Sequence, residues 1–105
     1  MDKLFEIIKA TGIPFAYDHF AEGEAPEPPF ICYLLPDSNN FAADGKVYFK
    51  ANAVHIELYT DTKDLSVEQR VEAVLDEHGI FYDRSEVWIE SEKLYEVLYS
   101  FEMEA

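Results

Sequence analysis

Hydrophobic and polar residues follow two different periods along this chain, and the points where the period changes mark its elements. From Asp2 to Gly12 the apolar residues Leu4, Phe5, Ile7 and Ile8 cluster on one side of a 3.6-residue repeat. Asp2 can cap the start and Gly12 suits the position just past the end, which predicts a short amphipathic helix that Pro14 forbids from continuing. Phe15 to Phe20 reads as a first strand, with Phe15 and Tyr17 on one face and Ala16 and Asp18 on the other. Ala21 to Pro29 holds three prolines, three glutamates and a glycine, which is loop composition. Phe30 to Leu35 is nearly all apolar and predicts a strand covered on both faces, ended by Pro36.

Asp37 to Gly45 carries turn chemistry throughout and reads as a long hairpin loop or a mobile arm with Phe41 at its tip. Lys46 to Thr60 is the longest strand candidate. Val54, Ile56 and Leu58 share one face and His55, Glu57 and Tyr59 the other, whereas Val47 and Phe49 have the opposite parity. One extra residue near Ala51-Asn52-Ala53 would reconcile the halves, so a β-bulge or bend is predicted there. Ser66-Val67-Glu68-Gln69 matches a capping box, opening a second helix to about His78 with Val67, Val71, Val74, Leu75 and His78 as its apolar stripe. Gly79 ends it. Glu68, Glu72 and Asp76, four apart, are placed on its solvated face. Ile80 to Asp83, Glu86 to Glu90 and Leu94 to Glu102 add two or three strands, the last with Tyr95, Val97, Tyr99 and Phe101 on one face. The order helix, strands, helix, strands predicts a single α+β domain over 1–105: one mostly antiparallel β-sheet with two helices packed on one face. That arrangement leaves the sheet's second face only partly covered.

Composition narrows the function classes. Apolar residues make up 49% of the 105-residue chain, enough for one core, but a domain this small gains from assembly. The formal net charge is −14, and the basic residues are scattered singly, with Lys46 and Lys50 the nearest to a pair. Specific nucleic-acid binding needs clustered cations and is therefore not expected. Cys32, the lone cysteine, meets no disulfide or zinc spacing. No apolar run is long enough to span a bilayer and the start lacks the pattern of a signal peptide, so a cytoplasmic site of synthesis and no membrane partner are expected.

Chemistry is sparse. Gly12, Gly23, Gly45 and Gly79 stand apart, which excludes a phosphate-binding loop, and His19, His55 and His78 lack metal-ligand spacing. His55 and Glu57 share a strand face and could couple as base and orienter, although a polar pair on a wet sheet face is the simpler account. Apolar flanks should raise the Cys32 thiol pKa, against reactivity. No catalytic residue, metal site or cofactor is assigned, and the chain is expected not to be an enzyme. The tyrosine and phenylalanine stripes suit core packing and, at their polar tips, interfaces.

The segment Val54-His55-Ile56-Glu57-Leu58-Tyr59-Thr60-Asp61-Thr62-Lys63-Asp64 runs into the helix from Val67 to His78. Gly79-Ile80 and Glu90-Ser91-Glu92-Lys93-Leu94-Tyr95-Glu96-Val97-Leu98-Tyr99 follow. Together, across about Phe30 to Glu102, these resemble small tail proteins of phages and prophages of Gram-positive bacteria, in the tail terminator or tail-to-head joining family. The resemblance implies a sheet flanked by helices and a ring of identical subunits, commonly hexameric, that closes the tail tube and docks on the head connector. It implies as partners other copies of the chain, the tail tube protein and head connector proteins. The location it implies is the virion tail, assembled in the host cytoplasm, with DNA passing through the ring unbound. It implies no cofactor and no catalytic residue. Asn39, Asn40 and Phe41 are the candidate interface residues, with Phe41 as anchor into a neighbour. Two other readings are another head-completion or connector protein, and an acidic DNA mimic that inhibits a nuclease or regulator.

Overall fold

The computed structural model describes residues 2–36, 41–43, 46–49 and 51–104. Helix α1 spans Asp2–Ala10 and buries Leu4, Ile7 and Ile8, while Phe5 stays 46% exposed. Gly12 follows at a φ of 72°, and its amide donates to Lys9 at 3.1 Å, closing the helix end. Arg70 Nη2 donates to the Thr11 carbonyl at 2.7 Å, which ties this end to the second helix.

Strands β1 (Phe15–Tyr17) and β2 (Phe30–Leu34) pair in parallel, joined by the proline-rich loop. Two short strands, β3 (Phe41–Ala43) and β4 (Lys46–Phe49), pair only with each other. Strand β5 (Ala51–Thr60) pairs antiparallel with β2 and with β7 (Leu94–Glu104), and β6 (Asp83–Ile89) pairs antiparallel with β7. The result is an α+β fold whose five-stranded sheet, in the order β1-β2-β5-β7-β6, is antiparallel except at β1. The expected irregularity lies earlier than Ala51-Asn52-Ala53: the β3–β4 register shifts between Phe41 and Ala42, which face Phe49 and Val47. Residues 51 to 60 match 104 to 95 one for one, and β4 and β5 belong to separate sheets.

One parity of the sheet carries the core. Ile31 of β2, Val54, Ile56 and Leu58 of β5, and Val97, Tyr99 and Phe101 of β7 share one buried cluster with the buried positions of both helices. Helix α2 (Leu65–Glu77) contributes Val67, Val71 and Leu75 to it. Burying side chains of this size contributes roughly 1.5–3 kcal/mol each before entropy is counted, so this face sets the register of every strand. The α2 cap is Asp64 in place of the expected Ser66. Its carboxylate accepts from the Ser66 and Val67 amides at 3.1 and 3.2 Å. At the other end the Gly79 and Ile80 amides donate to Asp76 and Leu75, both at 3.0 Å, with Gly79 at a φ of 67°. This double closure needs a left-handed residue, which glycine supplies without a Cβ penalty.

Three further expectations change. The first strand stops at Tyr17, where Asp18 turns left-handed at a φ of 64°. Residues 80–82 form a connection and not a strand, so two strands follow α2. Glu68, expected on the solvated face, is 4% exposed and points at the sheet. Among the described residues, no helix is long and apolar enough to cross a membrane.

Candidate interaction surfaces

The sheet parity opposite the core presents Phe30, Cys32 and Leu34 of β2, His55, Glu57 and Tyr59 of β5, and Leu94, Glu96, Leu98 and Ser100 of β7, set side by side by the register. All but the buried Cys32 are half-buried. The loop after β1 folds over one end of this face. Phe20 meets Phe30 edge-on with ring centroids 5.5 Å apart, and Phe30 stacks on Tyr59 at 5.2 Å. Phe20, Ala25, Phe30, Cys32, Tyr59 and Leu94 wall a cavity of about 380 Å³ there, with Asp18, His19 and Glu92 at its rim.

Beside that cavity lies an acidic pair. The Tyr59 hydroxyl donates to Glu57 Oε1 at 3.0 Å and reaches Glu96 Oε2 at 3.4 Å. Burial pushes the Glu57 carboxyl above its usual range; the Tyr59 hydrogen bond opposes this and the neighbouring Glu96 charge adds to it. The Tyr59 hydroxyl is raised, first by burial and then by the Glu57 charge. Burial, aided by Glu57, pushes the Cys32 thiol up to about 11, so it stays protonated and unreactive at neutral pH. His55 and Glu57 do share a face, but the Glu57 carboxylate is engaged by Tyr59, and that bond makes no base-and-orienter couple.

A second polar cluster joins α2 to β6. Arg84 Nη2 lies 2.5 Å from Glu68 Oε1 and 3.2 Å from Glu86 Oε1, and Lys63 Nζ lies 2.6 Å from Glu68 Oε2 and also contacts Glu86. The Tyr99 hydroxyl donates to Glu72 Oε2 at 2.7 Å. Here the hydrogen bond to Glu68 raises the Arg84 pKa and the bond from Lys63 lowers that of Glu86. Sequence reading missed this cluster. Its only signal is Arg84 at a strand position of core parity, opposite Tyr99.

β6 is the sheet's last strand and is exposed from Asp83 to Trp88. An unpaired edge of this length is a template for another chain unless it is covered. Just before it, Phe81 is 95% exposed, the highest value among the large apolar side chains of the described residues. A broad groove of about 840 Å³ runs past Phe81 between Lys3, His78, Asp83 and the far end of β7.

Of the residues proposed from sequence, Phe41 opens β3 opposite Phe49, so it begins a strand and is not a loop tip. Asn39 and Asn40 lie outside the described residues. Among the described residues, no group of three or more His, Cys, Asp or Glu side chains could hold a metal ion. Comparison with protein-family models gives no match. A search of curated proteins finds no match either.

Proposed function

We propose that this chain is a structural protein of phage tail assembly, a tail terminator that forms a ring at the end of the tail tube and joins it to the head connector. The likeness of the segments from Val54 to Asp64, the helix from Val67 to His78 and Glu90 to Tyr99 to that family motivates the reading. The observation that supports it most is the free β6 edge, seven residues long and exposed along almost its whole length, in a domain too small to spare that surface. Such an edge offers backbone groups that a neighbour can complete, and a neighbour offering a different patch produces a ring. In this reading the chain works without cofactor or catalysis, in the virion tail, after assembly in the host cytoplasm. Its acidity also has a use, since carboxylates facing a central channel repel DNA phosphates and let the genome pass. The decoy reading is disfavoured because Glu68, Glu72, Glu86 and Glu90 are drawn into ion pairs within the chain.

Deleting the gene from the phage that encodes it tests the proposal. Electron microscopy should show filled heads beside unjoined tails of irregular length, and supplying the chain in trans should restore joined particles. Normal virions from the deletion would refute the assignment. In the same assay Phe41→Ala should reduce joining if the β3–β4 hairpin contacts a neighbour, and normal yield would remove Phe41 from the interface.

A further inference from the structure

On the open face of the sheet, an aromatic-walled socket lies beside carboxylates that meet no lysine or arginine. Phe20, Ala25, Phe30, Cys32, Tyr59 and Leu94 wall a space of about 380 Å³. Roughly 150 Å³ already admits a benzene-sized group. Phe20 stands at 86° to Phe30, and Tyr59 stacks on Phe30 at 25°. The Tyr59 hydroxyl links this wall to Glu57 Oε1 at 3.0 Å and Glu96 Oε2 at 3.4 Å. Burial raises the Glu57 carboxyl first, the Tyr59 bond and His55 oppose this, and the charges of Glu96 and Asp18 add to it. Asp18, at the socket rim, therefore shares one field with the pair. Its own partner is His19, whose Nδ1 lies 2.8 Å from Asp18 Oδ2. Among the described residues no lysine or arginine lines the socket, and no three His, Cys, Asp or Glu groups converge on a metal position. The complementary charge is an organic cation.

We infer that this socket binds a small amphipathic amine, its aromatic or alkyl body among Phe20, Phe30, Tyr59 and Leu94 and its ammonium against Glu57 and Glu96. Aromatic walls receive an apolar body in offset or edge-to-face contact and attract a cation held near a ring face. An ammonium brings three donors to two carboxylates that otherwise share one hydroxyl. Each bond it makes there is charge-assisted on both sides, the stronger kind. A neutral apolar ligand would fill the space and leave the carboxylates as they are, and an anion would be repelled by Glu57, Glu96, Asp18 and Glu92. Tyr59 belongs to the wall and touches both carboxylates, so body and charge of one short molecule reach their partners together. A free amine of a few carbons spans that distance, and no extended basic peptide is needed. The inference stands apart from the tail reading, because it requires neither a ring nor a second protein.

The test titrates phenethylammonium into the purified full-length chain by calorimetry and maps the site by amide chemical shifts. Shifts should concentrate at Phe20, Phe30, Cys32, Tyr59 and Leu94. The neutral isostere 2-phenylethanol, which keeps the body and lacks the charge, should bind about tenfold more weakly to the wild-type chain. Glu57→Gln and Glu96→Gln should each weaken the amine several-fold and leave 2-phenylethanol unchanged. Glu77→Gln removes the same charge from the exposed end of α2 and should change neither affinity. Ala25→Trp, which fills the socket from an exposed loop, should abolish both. The comparison of amine and alcohol on the wild type decides the matter even where a variant fails to fold. No binding of phenethylammonium up to about 10 mM would overturn the inference. So would equal affinity for 2-phenylethanol, or a loss in Glu77→Gln as large as in Glu57→Gln. A peptide displaying one lysine between glycines is the last arm, and tighter binding of that peptide than of the free amine would overturn the assignment to a small molecule.

Discussion

Two clusters of carboxylates lie on opposite sides of the same sheet, and they are treated differently. At the α2–β6 corner, Glu68 is almost fully buried yet meets both Arg84 and Lys63, and Glu72 accepts from Tyr99. On the other face Glu57 and Glu96 are half-buried and share one tyrosine hydroxyl, and among the described residues no lysine or arginine pairs with them. The corner spends two of the chain's eight cations on internal cohesion. The open face keeps charge that no lysine or arginine among the described residues neutralises. Carboxylates of the first kind stabilise the fold, and those of the second kind hold charge at the surface, where it repels anions.

The largest effect that would break this contrast is at the corner. Arg84→Met leaves Glu68 buried with Lys63 alone, and because Arg84 is about one-third exposed the loss should fall below that of a fully buried broken pair, at about 2 kcal/mol by urea unfolding. A change below experimental error would mean that the corner charges are effectively solvated. Tyr59→Phe removes the donor shared by Glu57 and Glu96 and should cost about 1 kcal/mol in the same assay. No loss would show that water serves those carboxylates equally well.

Acidity distinguishes the two clusters by sign. Glu57 has a raised folded pKa, so its burden is absent when it is protonated in both states, and it grows as pH rises through the folded value. Glu57→Gln should therefore be more stable than wild type at pH 7, and the difference should vanish below the ordinary carboxylate value of 4.5. Glu86 has a lowered folded pKa, mainly through Lys63, so its contribution is present above 4.5 and is lost as pH falls through the folded value. Glu86→Gln should be slightly less stable than wild type at pH 7 and equal to it in acid. Parallel pH profiles for the two variants would contradict the distinction.

The core was legible in the sequence because strict alternation leaves no other solution. Val54, Ile56 and Leu58, and Val97, Tyr99 and Phe101, could only turn toward the helices together. The Gly79 stop was equally readable, since few residues accept the left-handed conformation found there. The inward turn of Glu68 was not readable, because a carboxylate on a helix belongs outside unless a cation is delivered to it, and Arg84 arrives from a strand sixteen positions away. The division of Lys46 to Thr60 into β4 and β5 of separate sheets was not readable, because parity alone registers only an irregularity and not where it falls. Phe81 looked like strand material, and its exposure depends on the connection after α2 staying irregular. The socket draws on three strands and two connections, a juxtaposition that no local pattern encodes.

The central claim is that the free β6 edge is completed by other copies of the same chain. Light scattering of the purified protein across salt tests it most directly. Masses should rise from the 12.1 kDa chain at low salt to a single closed multiple at high salt. A constant 12.1 kDa species up to millimolar concentration and molar salt would contradict the account.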